Sequence, residues 1–271
     1  MLNQFTFSLR RSYRSWLTYI GALFIIQVAL AAVFNQAGAG LPGGMGQLID
    51  LLPDAVRGFV GSSELDLLTP NGMLAVAYNH PLTKLMLSVF AVGLAANAIA
   101  GELQKGTLDL VLARPIRRYR LLLGSGLTLL VVACALGSVM LLGTFIGAQM
   151  SDIAAEVQWE SFGFLALNAI ALVLAMSGLA FLCSALSKSG SQAVGWAGGV
   201  VAGMFFLNWF ATLWDRVAVF SPLSLFYYYQ PDDIINGISS NWPLNIIVLL
   251  SFAVVTFAAA AAVFERRDLV R

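Results

Sequence analysis

The stretch GELQKGTLDLVLARPIRRYR, residues 101–120, lies between two apolar runs, each long enough to cross a bilayer, the first charged only at Lys84 near its start and the second uncharged. Read as a helix, it places Glu102, Lys105 and Asp109 on one face, with favourable charge pairs at i,i+3 and i,i+4. Leu103, Thr107 and Leu110 share another face. Pro115 disfavours helix at Arg114 and forces a break there. Arg114, Arg117, Arg118 and Arg120 then crowd the entry to the next apolar run. A solvated connector carrying orientation signals accounts for the arginines. It does not account for an organised helix with a fixed break, which reads instead as a docking surface for something soluble.

Working outward, the whole 271-residue chain is 59% hydrophobic and only 11% charged, with mean hydropathy +0.83. A soluble domain carries roughly 25% charged residues, so the chain belongs to the membrane class before any window is examined. Net charge is +1, and its distribution matters more than its sum. Cys134 and Cys183 fall inside apolar runs and read as small buried hydrophobes, with neither disulfide nor metal spacing. His80 stands beside Pro81, outside any metal-binding pattern.

A span needs about 20 mostly apolar residues. Six stretches qualify: 17–34, 82–100, 121–149, 162–186, 193–214 and 242–264. The expected fold is an all-α membrane protein, one permease-type domain over residues 1–271, with an N-terminal interfacial helix in 1–16. With the N-terminus inside, twelve Lys and Arg residues face the cytoplasm, and only Arg57, Lys84 and Arg216 lie outside. Acidic residues are mainly outside. Both termini are then cytoplasmic in a multi-pass protein of the cytoplasmic membrane. Phe5, Leu9, Tyr13 and Trp16 recur at helical spacing, with Arg10 and Arg14 on another face, as in an interfacial helix. The basic start, the apolar run and Ala29-Leu30-Ala31 resemble a cleaved signal peptide, but the leading segment is long and Gln27 interrupts the run, so retention is expected.

Two outer loops are apolar enough to form short helices. Residues 35–81 are expected as short helices on the outer surface, and 215–241 as re-entrant or interfacial helices. Gln27, Asn97, Asn168 and Asn208 sit in or near apolar runs. Interhelical hydrogen bonding is the favoured role of these amides, ahead of substrate contact. No span carries an Asp, Glu, Lys, Arg or His in its middle, which argues against proton-coupled transport. Gly143/Gly147 and Gly199/Gly203 are GxxxG pairs that permit close helix approach and weakly support a dimer interface.

The residues 100–118 carry a resemblance. Ala100, Gly101, Glu102, Gly106, Thr107, Leu108, Asp109, Leu110, Leu112, Ala113, Arg114, Pro115, Ile116 and Arg118 match the cytoplasmic connector of type-2 ATP-binding cassette (ABC) permeases. TPNGMLA (69–75), FSPLSLF (220–226) and FERRDLV (264–270) are similar to further segments of that family. Arg117 departs from the small polar residue often found at its position.

The resemblance implies the membrane subunit of an exporter, built from two permeases and separate ATPase subunits. The second permease is either identical or a relative. The connector becomes a coupling helix, with Glu102, Leu103, Gly106, Thr107, Asp109, Leu110, Arg114 and Pro115 as ATPase-coupling residues. The chain has no G-x-x-x-x-G-K-[ST] loop. Residues 101–107 have the two glycines followed at once by Thr107, without the lysine. No catalytic, cofactor or metal site is therefore expected on this chain, and ATP and magnesium would be held by the partner. Lipid is an expected partner and nucleic acid is not. The rival reading is a membrane scaffold that binds a cytoplasmic protein without moving substrate.

Overall fold

The computed structural model describes residues 17–32, 69–104, 106, 118–237 and 241–267. They are helical throughout, without strands among the described residues. The main helices are α1 (Leu17–Ala32), α2 (Pro70–Asn79), α3 (Pro81–Ala96), α4 (Ala100–Gln104), α5 (Arg118–Met150), α6 (Trp159–Leu186), α7 (Gly190–Ala211), α8 (Asp215–Ala218), α9 (Pro231–Asn236) and α10 (Trp242–Arg266). Four described helices are long and apolar enough to cross a membrane, namely α5 (from Leu122), α6, α7 and α10. The apolar helices α1 and α3 are shorter. The 16 residues of α3 rise only about 24 Å at 1.5 Å each, less than a bilayer core of about 30 Å.

Punctuation comes from local chemistry. Thr69 caps α2 by accepting from the Gly72 N–H at 3.2 Å, with Pro70 in the first turn. His80 caps α3 the same way, its Nδ1 accepting from Leu82 N–H at 3.2 Å ahead of Pro81. A proline in the first turn loses no helical bond and arrives with its φ already set. Ser189 caps α7, accepting from Gln192 N–H, while the Gln192 side chain reaches back to Lys188 N–H. This is a capping box displaced outward by one residue.

The organising helix is α6. It is apolar on all sides, the pattern of a helix surrounded by others, and 67% of its apolar window is buried against 17% for α7. Its most extensive partner is α10, followed by α3, α5 and α7. Gly178 permits the α6–α10 approach, since a Cβ there would lie 2.3 Å from Thr256 Oγ1 and 2.9 Å from the Ala253 carbonyl. Lipid tails are as apolar as these side chains, so such close backbone packing holds the helices together where the hydrophobic effect does not.

One expectation is corrected. Helix α2, expected on the outer surface, is not a surface element. In α2, Leu74, Ala75, Val76, Ala77 and Tyr78 are all 1% exposed or less. The chain turns at His80 and packs α2 against α9 and α3. Its apolar composition is a core signature. Residues 215–237 form α8, two 3-10 turns (Ser221–Leu223 and Leu225–Tyr228) and α9, with Leu225, Phe226, Tyr229 and Ile234 buried. Helix α9 ends at Gly237, whose φ of +64° is the left-handed cap that glycine adopts without strain.

Candidate functional site

The connector begins where α3 stops. The helical ladder breaks after Ala96, residues 97–99 form turns, and α4 resumes at Ala100. Glu102 lies in the first turn of α4, where a carboxylate complements the helix dipole. Glu102 and Leu103 are half-buried. The structure corrects the expectation of one continuous coupling helix through this region. Helix α4 ends at Gln104, and Gly106 follows with φ +68° and its N–H bonded to the Leu103 carbonyl at 3.1 Å. A residue at that φ cannot continue a right-handed helix. The coupling residues Thr107, Asp109, Leu110, Arg114 and Pro115 lie outside the described residues, as does Lys105.

Sequence reasoning missed what holds α4 in place. Ser184 of α6 is fully buried and lies against the break. Its hydroxyl donates to the Ala96 carbonyl at 2.6 Å and accepts from Ala100 N–H at 2.9 Å and Ile99 N–H at 3.2 Å. At the other end of α4, the Gln104 side chain accepts from Gly190 N–H at 3.0 Å, at the start of α7. Arg267 donates to the carbonyls of Ala185 and Ser187 at 2.8 and 2.9 Å, closing the end of α6. A serine within an apolar run carries no signal of its partner 85 residues away. Arg267 was visible only as one of the basic residues that set the orientation and as part of the FERRD match.

Beside the connector lies a cavity of about 810 Å³ between α1, α3 and α7. It runs along α3 from His80 and Leu82 through Leu85, Val89 and Val92 to Asn97, with Val201, Phe205 and Phe206 of α7 opposite. Its lining is apolar with isolated polar groups and no charged side chain. Toward the far end of α7 the rings of Phe206, Trp209, Phe210 and Trp214 form a ladder with centroids 5.3–6.5 Å apart. At the His80 end, burial and then the Lys84 charge hold the imidazole below its usual pKa of 6.5.

The amides separate by role. Gln27 donates to Thr144 Oγ1 at 3.2 Å, joining α1 to α5, and Asn168 donates to the Tyr228 carbonyl at 3.3 Å. Both residues are buried. Asn97 bonds the Gly93 carbonyl within its own helix at 2.8 Å and lines the cavity, whereas Asn208 is half-buried on α7. A polar cluster ties α2, α3 and α9 together. Asn79 donates to both Asp232 oxygens at 3.0 Å, Thr83 to the Ala77 carbonyl at 2.7 Å and Tyr229 to the Tyr78 carbonyl at 3.0 Å. Lys84 lies 5.9 Å from the Tyr229 ring centroid, within cation–π range.

The glycine pairs separate too. Gly143 and Gly147 are used inside the chain, where added Cβ atoms would meet Gln27 at 2.9 Å and Ala31 at 2.4 Å. Gly195, Gly199 and Gly203 on α7 have nothing within 4 Å, beside the exposed Trp196, Val200 and Phe206.

The described residues thus form an all-helical apolar scaffold in which a helix breaks ahead of the connector sequence. The family model described as "ABC-2 family transporter protein" matches residues 8–269. The chain belongs to the ABC-2 transporter family. Among similar proteins, the uncharacterised protein YhcI of Bacillus subtilis (strain 168) is 24% identical over 212 residues, which is 68% of this chain and 65% of that relative. The chain thus spans just under two thirds of the length of the relative it matches. ABC-2 membership and the apolar helices together make it a multi-pass membrane protein.

Proposed function

We propose that this ABC-2 protein is the permease subunit of an ATP-driven exporter, coupled to separate ATPase subunits through the connector that begins at α4. The observation that carries the reading is the break after Ala96, which delivers Glu102 and Leu103 into the separate short helix α4. Family membership over residues 8–269 supports it. Six membrane segments with both termini cytoplasmic follow from the charge asymmetry. In that arrangement α1 and α3 complete the set. ATP and magnesium bind the partner ATPase, and this chain performs no hydrolysis.

The cavity between α1, α3 and α7 is the translocation path in this reading, completed by a second permease copy. The open face of Gly195, Gly199 and Gly203 on α7 is the surface for that copy, because small residues let two helix backbones approach closely. Of the four helices long enough to span a membrane, α7 is the least buried within its own chain.

The test is expression of the full chain with its host's ATPase subunits, followed by purification of the assembly. Co-purification of an ATPase whose hydrolysis rate changes on Glu102 substitution supports the exporter. A cytoplasmic partner without ATPase activity supports the scaffold reading instead.

A further inference from the structure

We infer that Ser184 is the pin of a rigid joint that fastens the connector α4 to α6 and α7, so that α4 moves α7 rather than bending the chain at residues 97–99. This rests on the ATPase-coupled reading. The break in α3 releases backbone groups that a continuous helix would satisfy internally. A hydroxyl offers one donor and two acceptor positions, and Ser184 uses all three on this break, at Ala96, Ile99 and Ala100. One buried atom therefore fixes the angle between α3 and α4.

The far end of α4 is held independently. Gln104 accepts from Gly190 N–H, and Gly190 sits against the connector so closely that a Cβ on it would lie 3.3 Å from Gly101 Cα and 2.5 Å from Asn97 Oδ1. Ser184 and Gly190 flank the α6–α7 turn, whose carbonyls at Ala185 and Ser187 are bound by Arg267. Helix α4, that turn and the start of α7 thus form one unit. Asn97 lies at its pivot and also lines the cavity, so displacement of α4 changes the inner end of the cavity. Ser184 acts through these contacts as a positioning residue.

Two measurements test the joint. In the purified chain, Ser184→Ala should speed amide hydrogen exchange at Ile99 and Ala100 about tenfold, the size of a lost buried hydrogen bond, and Ser184→Thr should restore the slow rate. In the complex with its ATPase, a cysteine replacing the cavity-lining Ala202, with Cys134 and Cys183 replaced by alanine, is labelled by a maleimide with and without ATP–magnesium. The wild-type joint should show a nucleotide-dependent labelling rate. Ser184→Ala should reduce that dependence at least threefold with ATPase assembly retained, and Ser184→Thr should restore it. Gln104→Ala, at an exposed position and so without threat to folding, should reduce it likewise. An unchanged nucleotide response in Ser184→Ala or Gln104→Ala overturns the joint while leaving the permease reading standing. A parent complex that assembles but shows no nucleotide response removes the permease reading and the joint with it.

Discussion

Gln27 of α1 and Thr144 of α5 meet through a 3.2 Å hydrogen bond beside the two glycines that bring their helices together. The bond satisfies a fully buried amide donor, and Gly143 and Gly147 supply the space. Helix α1 also buries Leu23 and sets Tyr19 edge-on against Phe90 of α3, and this seam adds the close approach to α5.

Gly147→Leu should therefore destabilise the chain. Its first side-chain carbon would lie 2.4 Å from Ala31 Cβ, an overpacking that costs about 1–3 kcal/mol. Thermal unfolding of the purified chain measures this. Gly199→Leu, built into open space, should melt close to the parent. Equal losses in the two variants would show that the α1–α5 seam does not depend on close approach.

The same Gly199→Leu substitution should act on assembly instead. If α7 meets a second copy through its open glycines, added bulk separates the backbones and raises the dimer dissociation constant in membranes by at least about tenfold, or 1.4 kcal/mol. Photobleaching step counts in lipid read the change. An undiminished dimer would place the second copy on another face.

His80 should make stability fall in mild acid. Burial, then Lys84, lowers its pKa from 6.5, so below pH 6.5 the unfolded chain takes up a proton that the folded chain refuses. Stability is full above 6.5 and declines as pH drops from 6.5 toward the folded value. Protonation also removes the Nδ1 acceptor that caps α3 at Leu82 N–H. His80→Asn keeps a capping acceptor and removes the titration. Melting temperatures at pH 7.5 and 5.5 should diverge for the parent and agree more closely for His80→Asn.

Charge reversal at the connector should separate docking from insertion. Glu102→Lys should weaken ATPase association about tenfold in a pull-down and leave membrane insertion intact, because a rim charge sets partner choice more than folding. Glu156→Lys, in the exposed 3-10 turn Ala154–Glu156, is the matched control. If both behave alike, the connector is only a loop.

Composition and hydropathy were enough to read an all-helical membrane protein, because about 20 uncharged apolar residues have few other stable states and each helix satisfies its own backbone. A helix at Glu102 and Leu103 was legible as well, from local charge and apolar spacing. Gly106 shows where that reading fell short. Charge spacing suggested a helix running through it, and the left-handed turn ended the helix at Gln104. Tertiary structure alone decided the rest. It buried α2, placed Ser184 on the break between α3 and α4, and used Gly143 and Gly147 inside the chain while leaving Gly195, Gly199 and Gly203 open. Two GxxxG pairs look the same in one dimension, and a serine hydroxyl carries no address. Which neighbours press against them depends on how distant helices pack, and that information is spread over the whole chain.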